Sequence, residues 1–114
     1  MRVLIVEDEW LIALAVEQAV TAAGFTVSAN CRSLPEARKA LNASAPEVAV
    51  LDSNLRGNSA EDIACELRAR GIPFLVLSGY SRQQLGDSLA RAPFLGKPFR
   101  PADLVNALRG MVIP

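Results

Sequence analysis

Histidine is absent from the 114 residues. Without an imidazole the chain has no Ser-His-Asp triad, no histidine base and no histidine-held metal. A charge excess of either sign is also missing, since 12 Lys and Arg face 12 Asp and Glu. A protein that grips nucleic acid through phosphates needs a positive excess, so no nucleic-acid partner is expected. Cysteines number two, Cys31 and Cys65, with no CxxC spacing. Each lies in an apolar, Ala-rich stretch and is expected to be a buried free thiol, as befits a cytoplasmic chain. Long apolar runs are lacking too. The opening MRVLIVEDEW has only four apolar residues in a row before its acids. That is neither a signal peptide nor a membrane span.

What remains is a compact soluble composition, with hydrophobic residues at 51%, charged residues at 21% and aromatics at 5%. It excludes disorder, collagen and coiled coil. A chain of this length buries roughly 65% of its unfolded surface, so residues 1–114 make one domain without staples.

Short β-branched runs alternate with Ala/Leu-rich helical segments. Val3-Leu4-Ile5-Val6 is continuously apolar, as a strand covered on both faces should be. A helix follows over about 9–23, with Leu11, Leu14, Ala15 and Ala22 assigned to its inward face and Gly24 to its end. Phe25 to Ala29 is a weaker strand. Ser33-Leu34-Pro35-Glu36 is a capping box with an early proline and opens a helix to about Asn42. A third strand covers Val48 to Leu51, a loop Asn54 to Asn58, and a helix capped by Ser59 to Asp62 runs to Arg70 and Gly71. A fourth strand covers Phe74 to Leu77. Ser81 to Ala90 is polar and carries Gly86, so at best a short helix is expected there. Phe94-Leu95 is a fifth strand, and Pro101 starts a last helix with Leu104, Leu108 and Met111. No hairpin signal joins two strands, so a five-stranded parallel sheet is predicted, with three helices on one face and two on the other.

In open α/β sheets, ligands bind beyond the carboxyl ends of the strands. The residues there are Glu7, Asp8 and Glu9 after the first strand and Asp52, Ser53 and Asn54 after the third. Ser78 follows the fourth, and Lys97 the fifth. Three carboxylates at one rim repel unless a cation sits among them, and hard oxygen donors suit Mg²⁺. A lysine and a hydroxyl beside them are what a phosphoryl group needs while it is transferred. Each residue also has a bland use. The acids favour a helix N-terminus, Asp52 suits a turn, Ser78 a cap, and Lys97 solvent. Their conjunction at four strand ends favours the chemical use.

These motifs — VLIVEDE, VLDSNLRG, LVLSGY and FLGKPF — make the chain resemble the receiver domain of two-component response regulators over essentially its whole length. The resemblance implies a doubly wound, flavodoxin-like sheet of order 2-1-3-4-5. It implies that Asp52 takes a phosphoryl group from a phosphohistidine on a sensor histidine kinase or a histidine phosphotransfer protein. Asp8, Asp52 and the Asn54 backbone carbonyl would hold Mg²⁺, with Glu7 acting through a water. Ser78 and Lys97 would contact the phosphoryl oxygens. Ser78 and Phe94 would form the switch, and Asn54 and Tyr80 would tune hydrolysis.

A downstream protein would read the face of the fifth strand and last helix, and a homodimer on phosphorylation is a further form the resemblance allows. Compared with the family pattern, the segment from Ser78 to Lys97 is short, and Arg56 stands where many relatives have proline. No effector domain is expected, so the chain is either a free-standing receiver or one cut from a hybrid kinase or multidomain regulator. A phosphatase of the haloacid-dehalogenase type is the remote alternative. It needs a second Asp two residues after the nucleophile, and Asn54 stands there.

Overall fold

A computed structural model describes residues 1–55, 58–79 and 85–111. In chain order the elements are β1 (Arg2–Val6), α1 (Trp10–Ala22), β2 (Thr26–Cys31), α2 (Leu34–Ala43), β3 (Val48–Asp52), β4 (Asn54–Leu55) and β5 (Asn58–Ser59). Then come α3 (Glu61–Ala69), β6 (Phe74–Ser78), α4 (Asp87–Ala90), β7 (Phe94–Gly96) and α5 (Pro101–Met111). The main sheet runs β2-β1-β3-β6-β7, and all of its pairings are parallel. This is the predicted doubly wound order, with β6 and β7 as its fourth and fifth strands.

The predicted loop at 54–58 instead carries a small antiparallel pair. Asn54 lies opposite Ser59 and Leu55 opposite Asn58. Two residues per strand are too few for an alternation pattern to show in a sequence. Burial of Leu55 pins the pair to the core.

Side chains of the central strands alternate between two cores. Leu4, Val6, Ala49, Leu51, Phe74 and Val76 pack toward α2, α3 and α4 with Ala37, Leu41, Ile63, Leu67 and Leu89. Val3, Ile5, Val48, Val50, Leu75 and Leu77 pack toward α1 and α5 with Val16, Val20, Leu104 and Leu108. The period of two explains both the split and the continuous apolar runs. It also decides which side of the sheet each polar strand-end residue starts from.

Local signals set the helix ends. Ser33 Oγ accepts from Glu36 N at 3.4 Å, and Glu36 accepts in return from the Arg32 N–H at 3.2 Å. Gly24 and Gly71 follow α1 and α3 at φ of 95° and 71°, where a side chain would be strained.

Two expectations need correction. Leu11, Leu14, Ala15 and Ala22 all face outward, and α1 buries Ala13, Val16 and Val20 instead. The helix is apolar nearly all round, so spacing alone does not choose a face, and the flat sheet takes the smaller side chains. Cys31 is a buried free thiol as expected, its pKa raised by burial and by Glu36 against the pull of Arg32. Cys65 is free but exposed. It lies on the outer side of α3, where Sγ is 3.0 Å from Ser88 Oγ.

Candidate functional site: an acid cluster and two hydroxyls at the strand ends

The carboxyl ends of β1, β3, β6 and β7 lie side by side, so their last residues share one rim. Glu7 and Asp52 are both buried, an unusual state for carboxylates. Lys97 compensates them. Its Nζ is 2.8 Å from Glu7 Oε1 and 3.4 Å from Asp52 Oδ1. Glu7 is therefore its nearer partner and Asp52 the farther. The Lys97 backbone is fixed as well, since its N–H donates to the Ser78 carbonyl at 2.8 Å.

Asp8 completes the cluster. One carboxylate oxygen from each of Glu7, Asp8 and Asp52 lies within 4.8 Å of the others. Octahedral Mg²⁺ with bonds of 2.0–2.1 Å needs oxygen pairs about 2.9 and 4.2 Å apart. The three acids fit such an ion with a small inward adjustment, and their hard oxygens are the right donors.

Electrostatics follow from crowding. The Asp52 carboxyl is pushed up to about 7 by burial and by the adjacent Glu7 charge. Lys97 pulls the other way, while hydrogen bonds shared with Glu7 and Asp8 add to the rise. Lys97 itself loses by burial but gains more from its bond to Glu7 and the Asp52 charge, so its pKa is raised. With all three acids ionised, Lys97 leaves two negative charges uncompensated, and a divalent cation would supply that charge.

The hydroxyls continue the other set of strand rows, the set to which Asp8 also belongs. Ser78 continues the row of Phe74 and Val76, and Ser53 the row of Ala49 and Leu51. Both are buried, and Ser53 Oγ donates to Ser78 Oγ at 2.7 Å. Phe94 is half-buried against the same core. Asn54 N points back at Asp52 Oδ1 from 3.4 Å, which keeps the loop carbonyls close to the acids. Tyr80 and Arg56 lie outside the described residues.

The structure therefore gathers Glu7, Asp8, Asp52, Asn54, Ser78 and Lys97 as the strand-end logic predicts. Two further residues take parts that their sequence positions do not reveal. Ser53 is one, and a serine after an aspartate reads only as turn chemistry. Glu61 is the other, and its carboxylate accepts from the N–H groups of Ser88 at 2.5 Å and Leu89 at 3.3 Å.

The doubly wound, flavodoxin-like topology with this acid–lysine–hydroxyl rim defines a receiver-type signalling fold. A family model described as the response regulator receiver domain matches residues 3–109, and the chain belongs to that family. It is similar to SdrG from Sphingomonas melonis Fr1, with 31% identity and a TM-score of 0.85 over 99% of this chain and 97% of that one. It is also similar to the response regulator PhyR from Brucella abortus, with 32% identity and a TM-score of 0.81. That match covers 96% of this chain but 46% of PhyR. A CheY-like receiver domain from Methylobacillus flagellatus gives 25% identity and a TM-score of 0.83, over 97% of this chain and 98% of that one. Among the described residues no helix is long and apolar enough to cross a membrane.

Proposed function

We propose that Asp52 is the phosphoacceptor of this receiver. The observation that carries it is the convergence of Asp52 with Glu7, Asp8 and Lys97 on one buried rim. An Asp52 carboxylate oxygen attacks phosphorus as the bond to the donor's imidazole nitrogen breaks, leaving an acyl phosphate. Mg²⁺ held by Asp8, Asp52 and the Asn54 carbonyl, with Glu7 through a water, would offset charge on the carboxylate and the phosphoryl group. Lys97 is close enough to exchange its Asp52 contact for a phosphoryl oxygen. Its pairing with Glu7 holds the ammonium at the site meanwhile. Asn54 stands where it can affect the water that later hydrolyses the acyl phosphate.

The donor is a phosphohistidine on a sensor kinase or histidine phosphotransfer protein. Support for a protein donor comes from the approach to the site. Lys97, Pro98, Phe99 and Pro101 join Leu11, Ile12 and Ala15 around an open groove of about 380 Å³. The exposed Trp10 sits two residues from Asp8. Signalling then follows when Ser78 turns toward the phosphoryl group and Phe94 fills the space it leaves. That change reshapes the β7–α5 face read by a downstream protein.

Incubation with Mg²⁺ and acetyl phosphate should add one phosphoryl mass to the intact chain. Asp52→Asn should abolish it. Addition to Asp52→Asn at the wild-type rate would overturn the assignment.

A further inference from the structure

We propose that Ser53 is a positioning residue that latches Ser78 in the resting state. The latch rests on the reading of Ser78 as a contact of the transferred phosphoryl group.

Strand alternation is the first support. Glu7, Asp52 and Lys97 continue the rows that pack toward α1 and α5, whereas Ser53 and Ser78 continue the rows that pack toward α2, α3 and α4. Ser78 therefore leaves its strand in the row opposite that of Asp52, with its hydroxyl engaged by Ser53. The contact at 2.7 Å joins two hydroxyls that are 4% and 1% exposed, so water does not compete for it.

The backbones supply the second support. Ser53 N donates to the Leu77 carbonyl at 3.0 Å, and the Ser53 carbonyl accepts from Ala60 N at 3.1 Å. The Ser53 backbone is held on both sides and does not shift to follow a moving partner. The Ser78 carbonyl is held in turn by the Lys97 N–H at 2.8 Å. Ser78 must then reach the phosphoryl group by changing its χ1 well, and that turn breaks the contact with Ser53. A buried hydroxyl pair of this kind is worth a factor of about five in the resting-to-active equilibrium.

The probe is beryllofluoride with Mg²⁺, a phosphoryl mimic, followed by Trp10 emission and by NMR. Ser53→Ala should bind it about five-fold more tightly than wild type, because no latch has to break. Ser53→Thr, which keeps the hydroxyl, should stay near wild type. In a Ser78→Ala background, Ser53→Ala should change nothing. Equal or weaker binding by Ser53→Ala overturns the latch. Weaker binding would mean that the two hydroxyls act as one donor chain. An equal gain in both backgrounds also overturns it, since that is general loosening. Should alanine unfold the chain, Ser53→Cys, a weak donor of similar size, carries the same comparison.

Should wild type bind no beryllofluoride, the receiver chemistry has failed. The latch is then decided by Ser78 couplings in the ligand-free protein. One χ1 well in wild type and averaging in Ser53→Ala uphold it, and averaging already in wild type overturns it.

Discussion

The two faces of the sheet solve different problems at the same rim. On the α1 and α5 face the strand ends are ionic, and the helices are long and held by apolar burial of Val16, Val20, Leu104 and Leu108. On the opposite face the strand ends are the Ser53 and Ser78 hydroxyls beside Asp8, and one helix, α4, is a single turn of four residues. Such a turn cannot hold itself together. Three side chains of α3 hold it instead. Glu61 accepts from two α4 N–H groups, Cys65 lies against Ser88 Oγ, and Arg68 Nη2 donates to the Ser88 carbonyl at 2.7 Å. Gly86 makes room for this, since a Cβ there would lie 2.5 Å from Glu61 Oε2. Charge is thus gathered on a face held by apolar packing, whereas on the other face α4 adds a few polar contacts to the burial of Leu89. Hydrogen bonds of modest net strength can be exchanged during a switch, whereas packed side chains resist it.

The largest effect should come from the packed part of the hydroxyl face. Leu67 on α3 is fully buried behind the row that grips α4. Leu67→Ala should cost about 3 kcal/mol in urea unfolding, the usual range for a buried leucine. A cost below about 1 kcal/mol would mean that this face is loosely packed throughout, and the contrast would fail.

On the ionic face the sign should reverse. Asp52→Asn removes one of three crowded carboxylates and should stabilise the metal-free protein by about 2 kcal/mol at pH 8. The Asp52 carboxyl rises from 3.8 to about 7 on folding. A raised folded pKa contributes stability that is present below the unfolded value and lost as pH rises through the folded one. The advantage of Asp52→Asn should therefore be small at pH 4, grow between pH 4 and 7, and level off above. Saturating Mg²⁺ should shrink it, because the ion binds the wild-type acids. A variant less stable than wild type at pH 8 without metal would show that Lys97 already balances the cluster.

How much of this was legible in the sequence depends on how local each cause is. The strands were legible because each apolar run stops at a polar residue, and parallel order carried Glu7, Asp8, Asp52, Ser78 and Lys97 to one rim. The Ser33–Glu36 box was legible because its partners are three residues apart. The face of α1 was not, since Leu11 and Val16 are equally apolar and only the sheet decides between them. Nor was the Ser53–Ser78 bond, whose partners are 25 residues apart and ordinary as types. Glu61 read as a helix-start acid, and its hold on α4 exists only once the two helices pack.

A smaller effect is expected from that hold. Glu61→Gln keeps the size but has one acceptor oxygen, so it loses one of the two bonds to α4 and weakens the other, because a charged acceptor is the stronger one. Global stability should fall by about 1 kcal/mol or less, with faster amide exchange confined to Ser88 and Leu89. Protection lost equally in α1 would show that α4 is no separate unit and that the two faces move together.

The smallest effect on stability should come from the outward side of α1. Leu11 is 64% exposed, so Leu11→Ala removes little buried surface and should change stability by less than about 0.5 kcal/mol. Its position gives it a different use. Leu11 helps line the groove that opens at Lys97, next to Asp52. A small phosphodonor reaches Asp52 without touching that groove, whereas a protein donor has to cover it. Phosphorylation by acetyl phosphate should therefore match wild type in Leu11→Ala, while transfer from the cognate phosphohistidine protein should slow about ten-fold, as for an interface side chain worth somewhat more than 1 kcal/mol. Equal slowing with both donors would place Leu11 in the fold of the site. Unchanged transfer from the protein donor would leave this stripe of α1 outside the encounter and move the docking face elsewhere on the rim.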